Sequence, residues 1–135
     1  LVDGTEVWRT STTYLSADRV DVTPPAGGTP TSTFTNSLGQ TTKLTQYLSA
    51  TAGTGTTEST TYGHDARGDQ TSMNDPAGNH WTWSFDVLGR QTSATDPDTG
   101  TTTTAFDDAN RVISSTDGAA HTLAYTYDNL DPANR

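Results

Sequence analysis

The chain contains no cysteine, a single lysine and only three histidines. Without cysteine there are no disulfide staples and no thiolate metal sites, although the compartment stays open. Seven basic residues face sixteen acidic ones, giving a net charge of −9 and a pI near 4.3. No Lys/Arg cluster offers a surface that neutralises phosphates, which argues against a nucleic-acid partner. No apolar run approaches the ~18–20 residues of a membrane span, and no basic-then-apolar leader opens the chain. Leu, Ile, Val and Phe fall well under the ~20% below which a highly charged chain is suspected of disorder.

Threonine pulls the other way. Its 30 copies in 135 residues supply β-branched side chains that are stiff at χ1 and fit a pleated strand. Order must therefore come from pattern. The length suits one domain over residues 1–135, and a start at Leu1 without methionine reads as a piece of something longer.

The pattern is a repeat. "FDVLGR", Phe85 to Arg90, has a partner 21 residues earlier in "HDARGD", His64 to Asp69, and another 21 later in "FDDANR", Phe106 to Arg111. One more step lands on "YDNL", Tyr127 to Leu130, with Asp128 beside the ring. Asp75, Asp96 and Asp117 keep the same interval, as do Ser72, Ser93 and Ser114. Upstream, "TNSLGQ" and "YLSADR" form looser copies within residues 14–48, and the regular array runs over 62–135. Between the two lies the low-complexity stretch at 49–60, "SATAGTGTTEST", read as an inserted surface loop.

Within one unit, bulky and small polar residues alternate at Trp81, Trp83, Phe85 and again at Leu123, Tyr125, Tyr127, the period of a strand with one apolar face. Asp86 with Gly89, Asp65 with Gly68, and Asp75–Pro76 with Gly78 are turn signals, because Asp hydrogen-bonds its own backbone, Pro fixes φ and Gly accepts positive φ. Each unit is thus two strands of ~5–7 residues and two turns. The expected fold is all-β: an antiparallel up-and-down array of β-hairpins with a period near 21 residues.

Enzyme signatures are missing. There is no nucleophile elbow, zinc-binding HExxH, P-loop or dinucleotide fingerprint, so no catalytic or cofactor-binding residue is assigned. His64, His80 and His121 sit at unlike repeat positions and suggest no common site. "DPDTG", Asp96 to Gly100, has the opening spacing of a calcium loop, but its glycine comes one place early and no glutamate closes it. No metal site is assigned. Rings at alternate strand positions could stack on sugars, making Trp81 and Trp83 the candidate ligand contacts. Recurrence of Tyr62 with His64 and of Tyr125 with Tyr127 at equivalent positions favours a shared packing face instead.

These residues resemble the RHS, or YD-repeat, family: shell proteins of bacterial polymorphic toxins and insecticidal toxin complexes, and the teneurin-like barrel. The family's unit is similar to an aromatic–Asp pair, two variable residues and Gly–Arg, then a polar stretch to Asp–Pro–x–Gly–Asn. Phe85, Asp86, Gly89, Arg90, Asp75, Pro76, Gly78 and Asn79 fill those positions, and Phe106, Asp107 and Arg111 repeat the first set. His64 replaces an aromatic, Asp69 an arginine, and Asn110 and Asp131 replace turn glycines.

The resemblance implies an open or partial segment of a β-shell or barrel: a non-enzymatic structural segment of a secreted or cell-surface shell, without cofactor, enclosing or presenting a toxin domain. Its partners would be the rest of a longer YD-repeat chain, or other copies met through exposed strand edges. "DPAGN" matches the self-cleaving motif of such shells only in part, which places cleavage site and toxin outside this chain. Two other readings remain open: an extracellular module binding glycan or a surface protein, and a self-assembling β-filament.

Overall fold

The computed structural model describes residues 8–127. Asp128 and Asp131 therefore lie outside the described residues. Eleven strands and no helix occur among those described, as the alternation of bulky and small residues dictates. The chain divides into two compact units, residues 1–80 and 81–135.

The first unit carries β1 (Ser11–Ser16), β2 (Arg19–Thr23), β3 (Thr31–Thr35), β4 (Thr41–Tyr47), β5 (Thr57–His64) and β6 (Gln70–Asn74). Each pairs antiparallel with its sequence neighbour, with registers such as Asp21 opposite Ser32, Ser32 opposite Thr45, and Thr45 opposite Ser59. The second unit opens with β7 (His80–Phe85) and continues with β8 (Gln91–Asp96), β9 (Gly100–Phe106), β10 (Val112–Thr116) and the short β11 (Thr122–Ala124). It is again a meander, with Trp83 opposite Ala94 and Ala94 opposite Thr102. Strand starts at Gln70, Gln91 and Val112 keep the 21-residue interval of the sequence.

One expectation is corrected. The stretch at 49–60 is not all loop, since Thr57–Thr60 forms the first half of β5, where Thr60 lies opposite Leu44 and Ser59 opposite Thr45. Threonine, glutamate and serine there meet a partner strand, and β-branching favours pairing over a low-complexity coil. Only the residues between Leu48 and Thr57 form the loop, closed by Leu48 N–H donating to the Thr56 carbonyl at 3.0 Å.

Very little apolar surface is fully buried. Tyr47 is the one buried apolar side chain among the described residues, whereas Asp21, Ser32 and Thr45 are buried polar ones. The rings at Trp81, Trp83 and Phe85 are half-buried, and Leu123 and Tyr125 at the far edge are exposed. So few aliphatic side chains leave the order of the chain to backbone ladders, turns and paired polar side chains.

Candidate functional site

The repeating device of the molecule is a turn. At Asn36, Asp65, Asp75, Asp86, Asp107 and Asp117 the first residue's N–H donates to the carbonyl of the fifth, and the fourth residue's N–H donates back to the first carbonyl, all at 2.9–3.1 Å. This is a tight turn followed by a left-handed residue, the three-residue hairpin loop that matches strand twist. The fourth residue accordingly has positive φ: Gly39, Gly68, Gly78 and Gly89 at 78–99°, Asn110 and Ala120 at 65°. Asn110 thus serves as the sequence implied, since Asn tolerates this region. Ala120 was not foreseen. The glycine of that turn sits instead at Gly118, where a Cβ would stand 1.8 Å from the Thr99 carbonyl oxygen.

The first residue's side chain locks the loop. Asp65 Oδ1 accepts from the N–H groups of Arg67, Gly68 and Asp69 at 2.9–3.0 Å. Asp86 Oδ1 accepts from Leu88 and Arg90, and Asp117 Oδ1 from Ala119 and His121. The second carboxylate oxygen takes the fifth side chain: Arg90 Nε at 2.6 Å on Asp86, Arg111 Nε at 2.8 Å on Asp107, Asn79 Nδ2 at 2.7 Å on Asp75, His121 Nδ1 at 3.1 Å on Asp117. "DxxGR" and "DPxGN" are therefore one structure with different fifth-position donors. The sequence held the signal, because Asp65, Asp75, Asp86, Asp96, Asp107 and Asp117 are spaced alternately ten and eleven residues apart.

Charge follows geometry. The Arg111 N–H holds the Asp107 carboxyl below its ordinary value, the His121 N–H does so for Asp117, and the Asn79 amide for Asp75. For Asp65 and Asp86 partial desolvation pushes upward, but the donated N–H groups outweigh it and the net direction is down.

In the second unit arginine also joins consecutive turns. Arg90 lies 4.6 Å from the Phe106 ring centroid and donates to the Asp107 carbonyl at 3.2 Å and to Asn110 Oδ1 at 3.1 Å. Arg111 repeats the stacking on Tyr127 at 4.4 Å. In the first unit Gln40 stands where Arg90 would, bound by Asn36 Nδ2 at 2.6 Å, and His64 stands where Phe106 would.

The first unit has a different centre. Arg19 forms a two-point pair with Asp21 at 2.7 and 2.8 Å, Ser32 Oγ donates to Asp21 at 2.6 Å, and Ser32 meets the Tyr47 hydroxyl at 2.8 Å. Thr45 and Ser59 continue the row at 3.0 Å. Arg19 above all, with Ser32 adding to it, holds the Asp21 carboxyl low against the opposing effect of burial. Part of the inserted loop lies against this pair: a Cβ at Gly53 would come within 3.5 Å of the Arg19 guanidinium. Sequence reading missed this row, because its members are partners in strand register and far apart along the chain.

Several of the other candidate residues are hydrogen-bonded within the chain. Trp81 Nε1 donates to Asp96 Oδ2 at 2.8 Å, and Asp96 Oδ1 accepts from Asp98 and Thr99. Both carboxylate oxygens of Asp96, the first residue of the calcium-like segment, are thereby engaged. Among the described residues no cluster of three His, Asp or Glu side chains could hold a metal. His80 Nδ1 bonds Asn74 Oδ1 at 2.6 Å and His121 bonds Asp117, while His64 Nδ1 is buried without a partner.

Residues 64–102 match the RHS Repeat family. Over that stretch the chain carries RHS/YD repeats. The match spans two of the Asp-clamped turns of the YD type, at Asp65 and Asp86, and the one at Asp75 between them. Among solved structures, the Photorhabdus luminescens Tc holotoxin pore contains a chain similar to this one, with a TM-score of 0.72 at 16% identity over 90% of the present chain. That likeness is one of fold, and the present chain spans 7% of the length of the other. No curated protein matches.

Proposed function

We propose that the chain is a non-enzymatic structural segment of a secreted or cell-surface RHS/YD-repeat wall, one that encloses or presents a toxin or effector domain carried on a longer polypeptide. The observation that carries this reading is the same tight turn at six strand ends, locked by an aspartate carboxylate in five of them and by the Asn36 amide in the sixth. A device repeated that often extends a sheet at constant pitch and leaves its polar side chains occupied. The fold likeness to part of a Tc holotoxin pore supports the same reading. So do the free edges: β1 pairs only with β2 and β11 only with β10 among the described residues. Unpaired edge groups of this kind accept a further strand.

The rival, a glycan platform at Trp81 and Trp83, is weakened by the bond that ties the Trp81 indole to Asp96. Electron cryomicroscopy of the longer polypeptide tests the proposal. The expected image is a hollow wall in which these strands continue into further repeats around a separate cargo. A compact appendage whose strands join no neighbouring sheet would contradict it.

A further inference from the structure

Among the described residues, buried polar side-chain atoms have hydrogen-bond partners as a rule. Arg19, Asp21, Ser32 and Tyr47 satisfy each other, Thr45 meets Ser59, Thr95 meets Thr101 and Thr116 meets Thr122. One place breaks the rule. A concavity of about 480 Å³ in the first unit is lined by Thr33, Thr41, Leu44, Tyr62, His64 and Gln70, within the ~300–1,000 Å³ usual for small-molecule sites. His64 lines it, and the Nδ1 atom of this ring is shielded from solvent with no hydrogen-bond partner; a buried polar atom without a partner is costly.

Two further concavities are less suited to such a role by their own chemistry. Beside Thr57, Glu58 and Pro76, the Asp75 carboxylate is already spent on Asn79. In the groove along β1 and β2, Arg19 and Asp21 neutralise each other.

We infer that the Tyr62–His64 concavity is a binding site for a neutral saccharide unit. No charged side chain lines it. Asp65, next to His64 in the chain, is committed to three backbone N–H groups of its own turn, and Lys43 is stacked near Phe34. A phosphate or carboxylate ligand would find no counter-charge. Tyr62 and Leu44 offer an apolar surface suited to the C–H face of a pyranose. Thr33, Thr41, Gln70 and His64 present groups that both donate and accept, which is what a ring of hydroxyls requires. On binding, a turn of the His64 ring brings Nδ1 to a sugar hydroxyl, the partner the free chain lacks. The site is distinct from Trp81 and Trp83 and does not depend on the wall reading, whose test on the longer polypeptide can succeed or fail separately.

The test titrates the folded 135-residue chain with glucose, galactose and N-acetylglucosamine, following the His64 and Tyr62 side-chain resonances by NMR. Saturable shifts at both residues with at least one sugar are expected. His64→Phe, which restores a ring at the repeat position and removes the nitrogen, should weaken binding about tenfold, the weight of one buried hydrogen bond. Gln70→Ala gives an independent weakening should His64→Phe perturb the fold, and Trp81→Ala should leave affinity unchanged. Three outcomes overturn the inference: no shift with any of the three sugars, binding that survives both His64→Phe and Gln70→Ala, or binding abolished by Trp81→Ala.

Discussion

The two units hold similar meanders in order by different means. In the second, the stabilising groups sit at the strand ends: Asp86, Asp107 and Asp117 lock their loops, and Arg90 and Arg111 carry each turn onto the ring of the next repeat. In the first, turns of the same kind are supplemented by a row of buried polar side chains across β2, β3 and β4, with a loop lying against it. Where the repeat is regular in sequence, short-range bonds suffice to define it. Where it is loose, contacts between strands distant in sequence supply the order.

The largest effect should appear in acid, where both units are attacked together. Asp21, Asp65, Asp75, Asp86, Asp96, Asp107 and Asp117 are all held below the ordinary carboxylate value of 3.8. Groups depressed in the folded state stabilise it fully above the unfolded value, and that stability is lost as pH falls through the folded values. The urea midpoint should be nearly flat from pH 7 to about 5 and fall steeply below about 4. A midpoint unchanged down to pH 2 would remove the carboxylates from the account.

Next in size is Gly118→Ala in the second unit. Its Cβ has no room beside the Thr99 carbonyl, and the overpacking should cost about 2–3 kcal/mol. Amide hydrogen exchange in β9, β10 and β11 should quicken more than in β2 to β4. Ser32→Ala makes the reciprocal test, since it strips a donor from buried Asp21 and leaves the Tyr47 hydroxyl short of a partner. About 2 kcal/mol should be lost, read as faster exchange in β2 to β4 first. Equal exchange in all strands for both variants would erase the contrast between the units. The smallest effect is a gain: Ala120→Gly relieves a left-handed alanine at φ 65° and should raise stability by about 0.5–1 kcal/mol.

Much of this architecture is readable from residue spacing. The 21-residue interval, the alternating rings and the Asp/Gly turn pairs give strands and turns directly, because each rests on bonds within five residues of chain. Asp65, Asp86 and Asp107 could be recognised for that reason. The equivalence of the Asp75 and Asp117 turns with them was hidden by the change of fifth residue to Asn79 and His121, which differ chemically but donate to the same oxygen. The Asp21–Ser32–Tyr47 cluster and the concavity beside Tyr62 depend on register between strands, which no local pattern records. Thr57–Thr60 shows the opposite error, a strand concealed by low complexity until its partner in β4 is known.

A carbon-detected NMR titration of the aspartate carboxyls tests the central claim most directly, since it reads each turn lock separately. Asp65, Asp75, Asp86, Asp107 and Asp117 should all titrate below 3.8, and replacing Arg111 by Met should move Asp107 upward while leaving Asp65 in place. Midpoints at or above that ordinary value for these five residues would contradict the account, because carboxylates that accept no N–H groups cannot be what closes the repeats.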